Sequence, residues 1–286
     1  YAYLGGEAVG TATLDLLFGD VNPSGKLAET FPRRLEDNPS YLYFFGDEQN
    51  KTEYREGVFV GYRYYDKKNM DVLFPFGYGL SYTTFEYSNL TLDKSKMKDT
   101  DTLTVSVNVR NTGKVKGKEV VQLYVGMPES RTIRPVKELS GFEKIELEPG
   151  EEKTVTFTLA KRAFAYYRTD ISDGYVESGD YTIMAAKSSR DIACTATVNV
   201  TSTTQIKRVY TMNSTIEEIM ESPAGREILG KMMAQNPLAQ ADADDIGMGE
   251  AMARMMAEMP LRALLSFGGD SVPAGAGEML LKQLNA

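Results

Sequence analysis

The stretch of the sequence whose residue types best suit chemistry is YREGVFVGYRYYDKK, residues 54–68. It mixes aromatic side chains with arginine and glutamate, and this mixture suits sugars, because rings stack on the apolar face of a sugar while charged groups bond its hydroxyls. The candidate substrate-binding residues, placed at the rim of a sugar site, are Tyr54, Arg55, Glu56 and Tyr62. The alternative is that these residues pack between domains while Arg63 bonds backbone carbonyls. It is favoured because polar and aromatic residues commonly mix where domains meet.

The residue types that the sequence lacks limit its chemistry further. Histidine is absent, and Cys194 is the only cysteine. Histidine-based triads, histidine metal sites and thiolate zinc sites are therefore excluded. The 40 acidic residues offer no obvious catalytic pair. A retaining glycosidase needs two carboxyl groups about 5 to 5.5 Å apart, and no spacing in this chain predicts such an encounter, so no residue is assigned a catalytic role.

Two other charged groups are interpreted as surface features. One resembles half of a calcium loop but lacks the glycine and the closing glutamate at the required offsets; it consists of Asp242, Asp244 and Asp245. The other is a loose basic group, and most such groups are solvated surface; it consists of Lys51, Arg55, Lys67 and Lys68.

Composition also bounds the partners. The length of 286 residues predicts one to two domains. The net charge is -8 and there is no basic block, so nucleic acid is not expected as a partner. No apolar run approaches the roughly 18 to 20 residues of a membrane helix, so no membrane partner is expected either. The single cysteine leaves the compartment open, with a cytoplasmic location as the working expectation.

Three regions differ in composition and periodicity, and we predict that the domains span residues 1–89, 90–202 and 203–286. In the first, apolar residues on one face predict a short helix over residues 7–17 that Gly19 ends, and residues 26–31 are predicted to be extended. Residues 33–85 are rich in aromatics but show little periodicity. They are predicted to form a long loop that lies across a larger body outside this chain.

The second region changes to a period of two, the spacing of strands. In TLTVSVNVRNTG, apolar Leu103, Val105, Val107 and Val109 alternate with polar residues, and KTVTFTLA repeats the pattern. Turn signals such as Pro149-Gly150 separate the segments. Half a dozen or more short strands predict a β-sandwich, without the paired cysteines and the tryptophan of a true immunoglobulin domain.

The third region is predicted to be helical. Ser214 with Glu217 forms a predicted capping box, and Pro223 takes the first position of a second helix. Residues 236–247 are interpreted as a linker. Five methionines at helical spacing are predicted to form the buried face of a helix hairpin rather than a partner-binding surface; they are Met248, Met252, Met255, Met256 and Met259.

Several stretches together carry a family resemblance. LLFGDVNPSGKLAETFP (16–32) resembles the end of the α/β-sandwich domain of glycoside hydrolase family 3. Residues 54–68 and FPFGYGLSYTTFEYSNL (74–90) resemble the segment that leads out of that domain. The stretches VRNTGKVKGKEVVQLYVGMPES and SGDYTIMAAKSSRDI look like the family's fibronectin type III-like domain. The sequence is most similar to bacterial, clostridial-type β-glucosidases of the family.

The resemblance implies a mixed fold. Residues 1–89 would hold the end of an α/β-sandwich domain with its connecting segment, residues 90–202 an all-β fibronectin type III-like sandwich, and residues 203–286 an α-helical extension. It also implies a retaining enzyme that hydrolyses terminal β-D-glucosyl residues and needs no metal or organic cofactor.

The same resemblance predicts where the catalytic residues lie. The Asp nucleophile of the family sits on an N-terminal (β/α)8 barrel and the Glu acid/base on the α/β-sandwich domain, both upstream of the stretch that matches residues 3–32. Because Tyr1 is not a start methionine, we expect a chain that begins inside a longer enzyme and is inactive alone. Its expected partners are the barrel, the remainder of the α/β-sandwich domain and, in the intact enzyme, a β-glucoside.

Two rival functions stay open. One is another activity of the same family, a β-xylosidase, exo-glucanase or β-N-acetylglucosaminidase, because the residues that select the sugar lie upstream. The other is a non-catalytic carbohydrate-binding or protein-binding module. Residues 90–200 argue against the second, because they show no exposed row of aromatics at strand spacing.

Overall fold

The computed structural model describes residues 1–44, 46, 51–206, 208–234, 254–267 and 275–285. They fall into two units, Tyr1–Thr204 and Gln205–Ala286. Within this described part, no helix has the length and apolar character needed to cross a membrane.

The first unit begins with short elements. Helix α1 spans Val9–Phe18 and ends, as predicted, at Gly19, which has the left-handed backbone (φ 83°) that closes many helices. Strand β1 (Phe31–Pro32) precedes a 3-10 turn at Leu35–Asp37, and helix α2 (Tyr62–Lys67) precedes strand β2 (Val72–Phe74). Strands β1 and β2 pair antiparallel.

Two expectations for this region need correction. Of the residues 26–31 that were predicted to be extended, only Phe31 lies in a strand. That strand, β1, consists of Phe31 and Pro32. The segment over residues 33–85 is not a structureless loop, because it contains α2, β2 and the 3-10 turn. Its short helix was not predicted, because six residues are too few to show a period of 3.6.

The predicted β-sandwich is confirmed. Its strands are β3 (Phe85–Leu92), β4 (Lys96–Lys98), β5 (Leu103–Asn111), β6 (Gly117–Gly126), β7 (Glu138–Leu147), β8 (Glu152–Leu159), β9 (Tyr166–Arg168), β10 (Asp173–Tyr175), β11 (Gly179–Ala186) and β12 (Ile192–Thr201). One sheet has the order β4-β12-β11-β6-β7 and the other the order β3-β5-β8, while β9 and β10 form a separate hairpin. The mixed fold class predicted from the sequence is therefore also confirmed.

The core of the sandwich follows the alternation of the sequence. The four apolar residues predicted to share one face of β5 are all fully buried, because successive side chains of a strand point to opposite faces. The facing sheet contributes Val121, Leu123 and Ile183 to the same interior.

Strand β6 differs from its neighbours because both of its faces are buried. Val121 and Leu123 point into the sandwich, whereas Gln122 and Tyr124 are buried on the opposite side. There, the Gln122 amide donates hydrogen bonds to the carbonyls of Gly77 (3.0 Å) and Lys187 (2.8 Å), and the Tyr124 hydroxyl donates to Gln122 Oε1 (2.7 Å). Residues N-terminal to the sandwich thus cover the outer face of β6.

A buried ion pair attaches the start of the chain to the same strand. Lys26 Nζ lies 3.2 Å from Glu119 Oε1, and the Tyr87 hydroxyl donates to the same oxygen at 3.0 Å. Burial, together with the Glu119 carboxylate, raises the pKa of Tyr87 well above its usual value, so the phenol stays protonated and remains a donor. Charge and hydrogen bonding therefore join residues that lie 93 and 32 positions apart in the sequence.

The second unit is the helical tail. Among its described residues, the helices are α3 (Ile216–Met220), α4 (Pro223–Ala234), α5 (Leu261–Phe267) and α6 (Ala276–Leu284). Pro223 opens α4 as predicted. The core of this unit is apolar and consists of Tyr210, Ile216, Ile219, Leu229, Leu261, Leu280 and Leu284.

The predicted capping box is wrong by one residue. The N-cap of α3 is Thr215, whose hydroxyl accepts from the Glu218 N–H (3.2 Å), while the Glu218 carboxylate accepts from the Thr215 N–H (3.0 Å). Ser214 instead accepts from the Thr211 N–H in the preceding turn. Both pairs fit the S/T-x-x-E pattern, so the sequence alone left the register ambiguous.

Part of the predicted tail lies outside the described residues. This applies to the linker over residues 236–247 and to Met248 and Met252 of the methionine series. Of the other three, Met256 and Met259 are half-buried, but Met255 is 57% exposed. For Met255, the prediction of a buried position is wrong.

We expect Thr215→Ala to destabilise the helical tail by about 1 kcal/mol, because it removes the acceptor of the first-turn N–H. Thr215→Ser keeps the hydroxyl and should lie within about 0.5 kcal/mol of the parent chain. Urea unfolding of the full chain, followed by circular dichroism at the helix band, measures both. Equal stability of the Ala and Ser variants would contradict the assignment of Thr215 as the cap.

Candidate functional site

A pocket of about 370 Å³ lies where the connecting segment (residues 33–84) meets the β6–β7 loop (residues 127–137). Its walls are aromatic, aliphatic and charged; the lining residues are Pro39, Tyr43, Arg55, Glu56, Phe59, Tyr64, Lys67, Lys68 and Ile133. All but Ile133 come from the connecting segment. The β6–β7 loop supplies Ile133, whose side chain is 77% exposed.

Short local structures bring the walls together. A turn in which the Phe59 N–H donates to the Glu56 carbonyl (3.0 Å) precedes α2. Tyr64, Lys67 and Lys68 follow at positions i, i+3 and i+4, which places them on one side of the helical turn. Aromatic and basic side chains separated in the sequence therefore border one cavity.

Charged groups dominate the polar part of the pocket. The Glu56 side chain is half-buried, and its Oε2 is shielded from solvent with no hydrogen-bond partner among the described residues. The Arg55 guanidinium pairs with Glu53, which raises the pKa of Arg55, and lies 4.9 Å from the centre of the Tyr43 ring. Lys68 Nζ lies 6.0 Å from the centre of the Tyr64 ring.

The structure brings together two of the four residues predicted to form a sugar-site rim. Arg55 and Glu56 both line the pocket. Tyr54 is adjacent in sequence but is 82% exposed and does not line it. Sequence reasoning did not select Tyr43, Tyr64 or Ile133, because only the fold brings them next to Arg55.

Tyr62 lies at the seam with the sandwich instead of in the pocket. Its hydroxyl accepts a hydrogen bond from the Leu139 N–H (2.8 Å), and burial raises its pKa. Its ring stacks on Phe76, with 4.8 Å between ring centres, and meets Tyr124 edge-on. This environment matches the packing alternative given above, and the bond from Arg63 to the Val58 carbonyl (3.4 Å) is also of the expected kind.

The most constrained charge near the pocket is Asp66, on α2 between pocket residues Tyr64 and Lys67. Its side chain is 7% exposed and is held by two cations: Lys137 Nζ lies 2.9 Å from Oδ2, and Arg190 Nε lies 2.8 Å from Oδ1. Arg190 also donates to the Met70 carbonyl (2.7 Å). Lys137 ends the β6–β7 loop and Arg190 lies in the β11–β12 turn, so Asp66 fixes α2 to two parts of the sandwich.

Sequence reasoning gave Asp66 no positioning role. An acidic residue inside an aromatic run was the only local signal, and its partners lie 71 and 124 positions further along the chain. Within the described residues, no group of three or more acidic or cysteine side chains could hold a metal ion.

Comparisons with known proteins agree with this order of a short N-terminal region, a connecting segment and a β-sandwich. Residues 1–82 match the glycosyl hydrolase family 3 C-terminal domain, and residues 119–189 match the fibronectin type III-like domain. This order of domains defines the C-terminal region of a glycoside hydrolase. The chain belongs to glycoside hydrolase family 3, which confirms the resemblance stated from the sequence.

Most of the similar proteins carry β-glucosidase names, although one that is 40% identical over 270 residues is an exo-α-(1→6)-L-arabinopyranosidase of Bifidobacterium breve. Thermostable beta-glucosidase B of Acetivibrio thermocellus is 51% identical over 285 residues, which are 99% of this chain and 37% of that protein. The crystal structure of a Bifidobacterium adolescentis family 3 β-glucosidase matches with a TM-score of 0.69 and 40% identity, over 80% of this chain and 33% of that one.

A third match is the β-glucosidase of Kluyveromyces marxianus, whose crystal structure in complex with glucose matches with a TM-score of 0.62 and 45% identity. The matched part is 67% of this chain and 23% of that one. This chain therefore spans about a quarter to two fifths of the length of the proteins it matches.

We expect Asp66→Asn to destabilise the first unit by about 2 to 4 kcal/mol, because it leaves Lys137 and Arg190 without a counter-ion at a site from which water is largely excluded. The matched control is Asp71→Asn, which removes the exposed ion pair of Asp71 with Arg33 and should cost less than about 1 kcal/mol. Urea unfolding followed by tyrosine fluorescence compares the two. Equal losses would show that Asp66 is no more important than a surface charge.

Proposed function

We propose that the chain is the C-terminal structural region of a retaining β-glucosidase that hydrolyses terminal β-D-glucosyl residues. The observation that carries the proposal is the 51% identity to a thermostable β-glucosidase across almost the whole chain. In this proposal, the nucleophile and the acid/base belong to the part of the enzyme that precedes the matched region. The chain alone then has no activity, because it supplies neither carboxylate.

The role proposed for the chain is to support the catalytic domains. Helix α1 has no buried residue, and its apolar side chains face solvent, with Leu17 71% and Phe18 80% exposed. A groove of about 380 Å³ runs beside this helix and is lined mostly by small and apolar residues. Contiguous exposed apolar surface is typical of an interface, and the proposed occupants are the remainder of the α/β-sandwich domain and the (β/α)8 barrel.

The pocket beside Arg55 and Glu56 is proposed to border the sugar site. It combines rings with charged hydrogen-bonding groups, as sugar recognition requires. Exposed Tyr54 would extend the same border, whereas Tyr62 would act indirectly, by holding the segment on the sandwich.

The rival functions are less well supported. The β-glucosidase names of the relatives reported above favour glucosides over a xyloside or N-acetylglucosaminide. A purely non-catalytic module does not account for the match to the family 3 C-terminal domain over residues 1–82.

We expect a chimeric enzyme that contains this chain to have the β-glucosidase activity that the chain alone lacks. In it, this chain replaces the 285 matching residues of the Acetivibrio thermocellus enzyme. The purified chain should not hydrolyse p-nitrophenyl β-D-glucoside, whereas the chimera should do so.

Two results would contradict the proposal. A folded chimera without glucosidase activity would show that this chain does not serve such an enzyme. Turnover by the chain alone would mean that it holds catalytic carboxylates, and Glu53, Glu56 and Asp66 would be the first to replace.

A further inference from the structure

Strand β8 lies at one edge of the three-stranded sheet β3-β5-β8, and within the described residues it pairs only with β5. Its ladder with β5 runs from the pair Leu103–Leu159 to the pair Arg110–Glu152 without a register shift. The backbone groups on its other side can therefore bond a further strand, which is how regular sheet edges associate. We propose that β8 pairs antiparallel with β8 of a second copy of this chain, which joins two three-stranded sheets into one.

The other sheet edges of the sandwich have features that oppose such pairing. Strand β3 contains a register shift between Ser88 and Thr91, and β4 has only three residues. Strand β7 has a register shift in its pairing with β6, and its Leu139 N–H donates to the Tyr62 hydroxyl. Short, bulged and covered edges prevent association between sheets. Strand β8 is long and regular by comparison, so it is the edge best suited to a partner strand.

The one lysine of β8 does not block this edge. A lysine in an edge strand discourages pairing, but Lys153 is held by its own chain. Its Nζ donates to the Glu146 carbonyl (2.7 Å) and lies 3.3 Å from the Glu151 carboxylate. The rest of the strand, from Thr154 to Leu159, carries no charge.

The sequence of the edge is complementary to itself when two copies run antiparallel. Residues 151–162 read EEKTVTFTLAKR, with two acidic residues at one end and two basic residues at the other. A two-fold axis at Thr156 places Glu151 opposite the partner's Lys161. Because the axis repeats every contact, each copy contributes the acidic end of one such pair and the basic end of the other. This charge complementarity favours a second copy over an unrelated strand.

The same axis matches the two faces of the strand. On the outer face, Thr154 meets the partner's Thr158, and Thr156 meets its equivalent; cross-strand pairs of threonine are favourable. On the inner face, Val155 meets the partner's Phe157, whose side chain is half-buried against the core of the sandwich. A slip of one residue would place threonines against Val155 and Phe157, so the pattern of side chains fixes the register.

The region before the sandwich leaves this edge accessible. Residues 1–84 send their hydrogen bonds and ion pairs to the five-stranded sheet, to turns and to the end of β5. Examples are the contacts with Glu119, Gln122 and Arg190. In the part of the chain that the structure describes, none of these bonds reaches β8. The edge therefore belongs to the sheet that faces away from the connecting segment.

Sedimentation velocity of the full chain over a wide range of concentrations tests the proposal. We expect a monomer–dimer equilibrium, which Thr156→Lys shifts about fivefold toward the monomer because it sets two like charges against each other at the axis. The matched control is Thr91→Lys, which adds the same charge to an exposed position at the other edge of the sheet and should associate like the parent chain. Circular dichroism checks that both variants are folded.

A charge exchange tests whether the partner is a second copy. In the proposed pairing, Glu152 lies diagonally across from the partner's Arg162, and both side chains are exposed. Glu152→Arg and Arg162→Glu should each weaken the dimer about fivefold, and the double variant should restore it. Within one copy the two residues lie roughly 30 Å apart along the extended chain, so restoration requires two copies.

Three results would overturn the proposal. A chain that stays monomeric at every concentration leaves the edge to a strand of another protein. Association that Thr156→Lys does not change places the contact on another surface, such as the exposed face of α1. A double variant that stays as weak as the single variants rejects the antiparallel pairing of Glu152 with the partner's Arg162.

Discussion

A carboxylate that is withdrawn from water must be paired, and the first unit is arranged around this constraint at Asp66. Two cations from distant parts of the sandwich, Lys137 and Arg190, meet the two oxygens of this one side chain. Loss of both contacts would leave the carboxylate unpaired at a site where solvation is poor. The short helix that carries Asp66 is therefore held in one position, and the pocket beside it has a fixed shape.

Weaker interactions pair the other buried polar groups where the preceding segment meets the sandwich. Strand β6 presents Gln122 and Tyr124 on the face that an isolated sandwich would expose, and polar groups there need partners once they are buried. The Gly77 carbonyl supplies one for Gln122, and elsewhere on the strand Lys26 pairs with the buried Glu119. The sandwich has a closed core of its own, whereas the preceding segment is stabilised chiefly by the sandwich.

Local patterns predicted much of this structure and nonlocal contacts were missed. The alternation in Leu103–Asn111 placed a strand and its buried face, and Gly19 and Pro223 placed helix ends, because each of these signals acts within a few residues. The sequence left the cap ambiguous between Ser214 and Thr215. Here two overlapping patterns were equally good, and only packing decides between them.

The candidate site was predictable only in part for the same reason. Arg55 and Glu56 were selected by residue type, and they share a pocket. Tyr62 belongs to the same aromatic run but turns toward the sandwich, where its hydroxyl meets Leu139. Ile133 was not selected, because nothing in its local sequence indicates that the loop reaches α2.

Because the Asp66 ion pairs hold the connecting segment on the sandwich, the two should unfold as one unit. Native-state hydrogen exchange on the full chain tests it directly, through the amides of Lys68 and Met70, which donate to the Tyr64 and Tyr65 carbonyls at 2.9 Å. The account predicts opening free energies within about 1 kcal/mol of those of the β5 and β6 amides. Exchange of Lys68 and Met70 by a local opening several kcal/mol easier than that of the strands would contradict it.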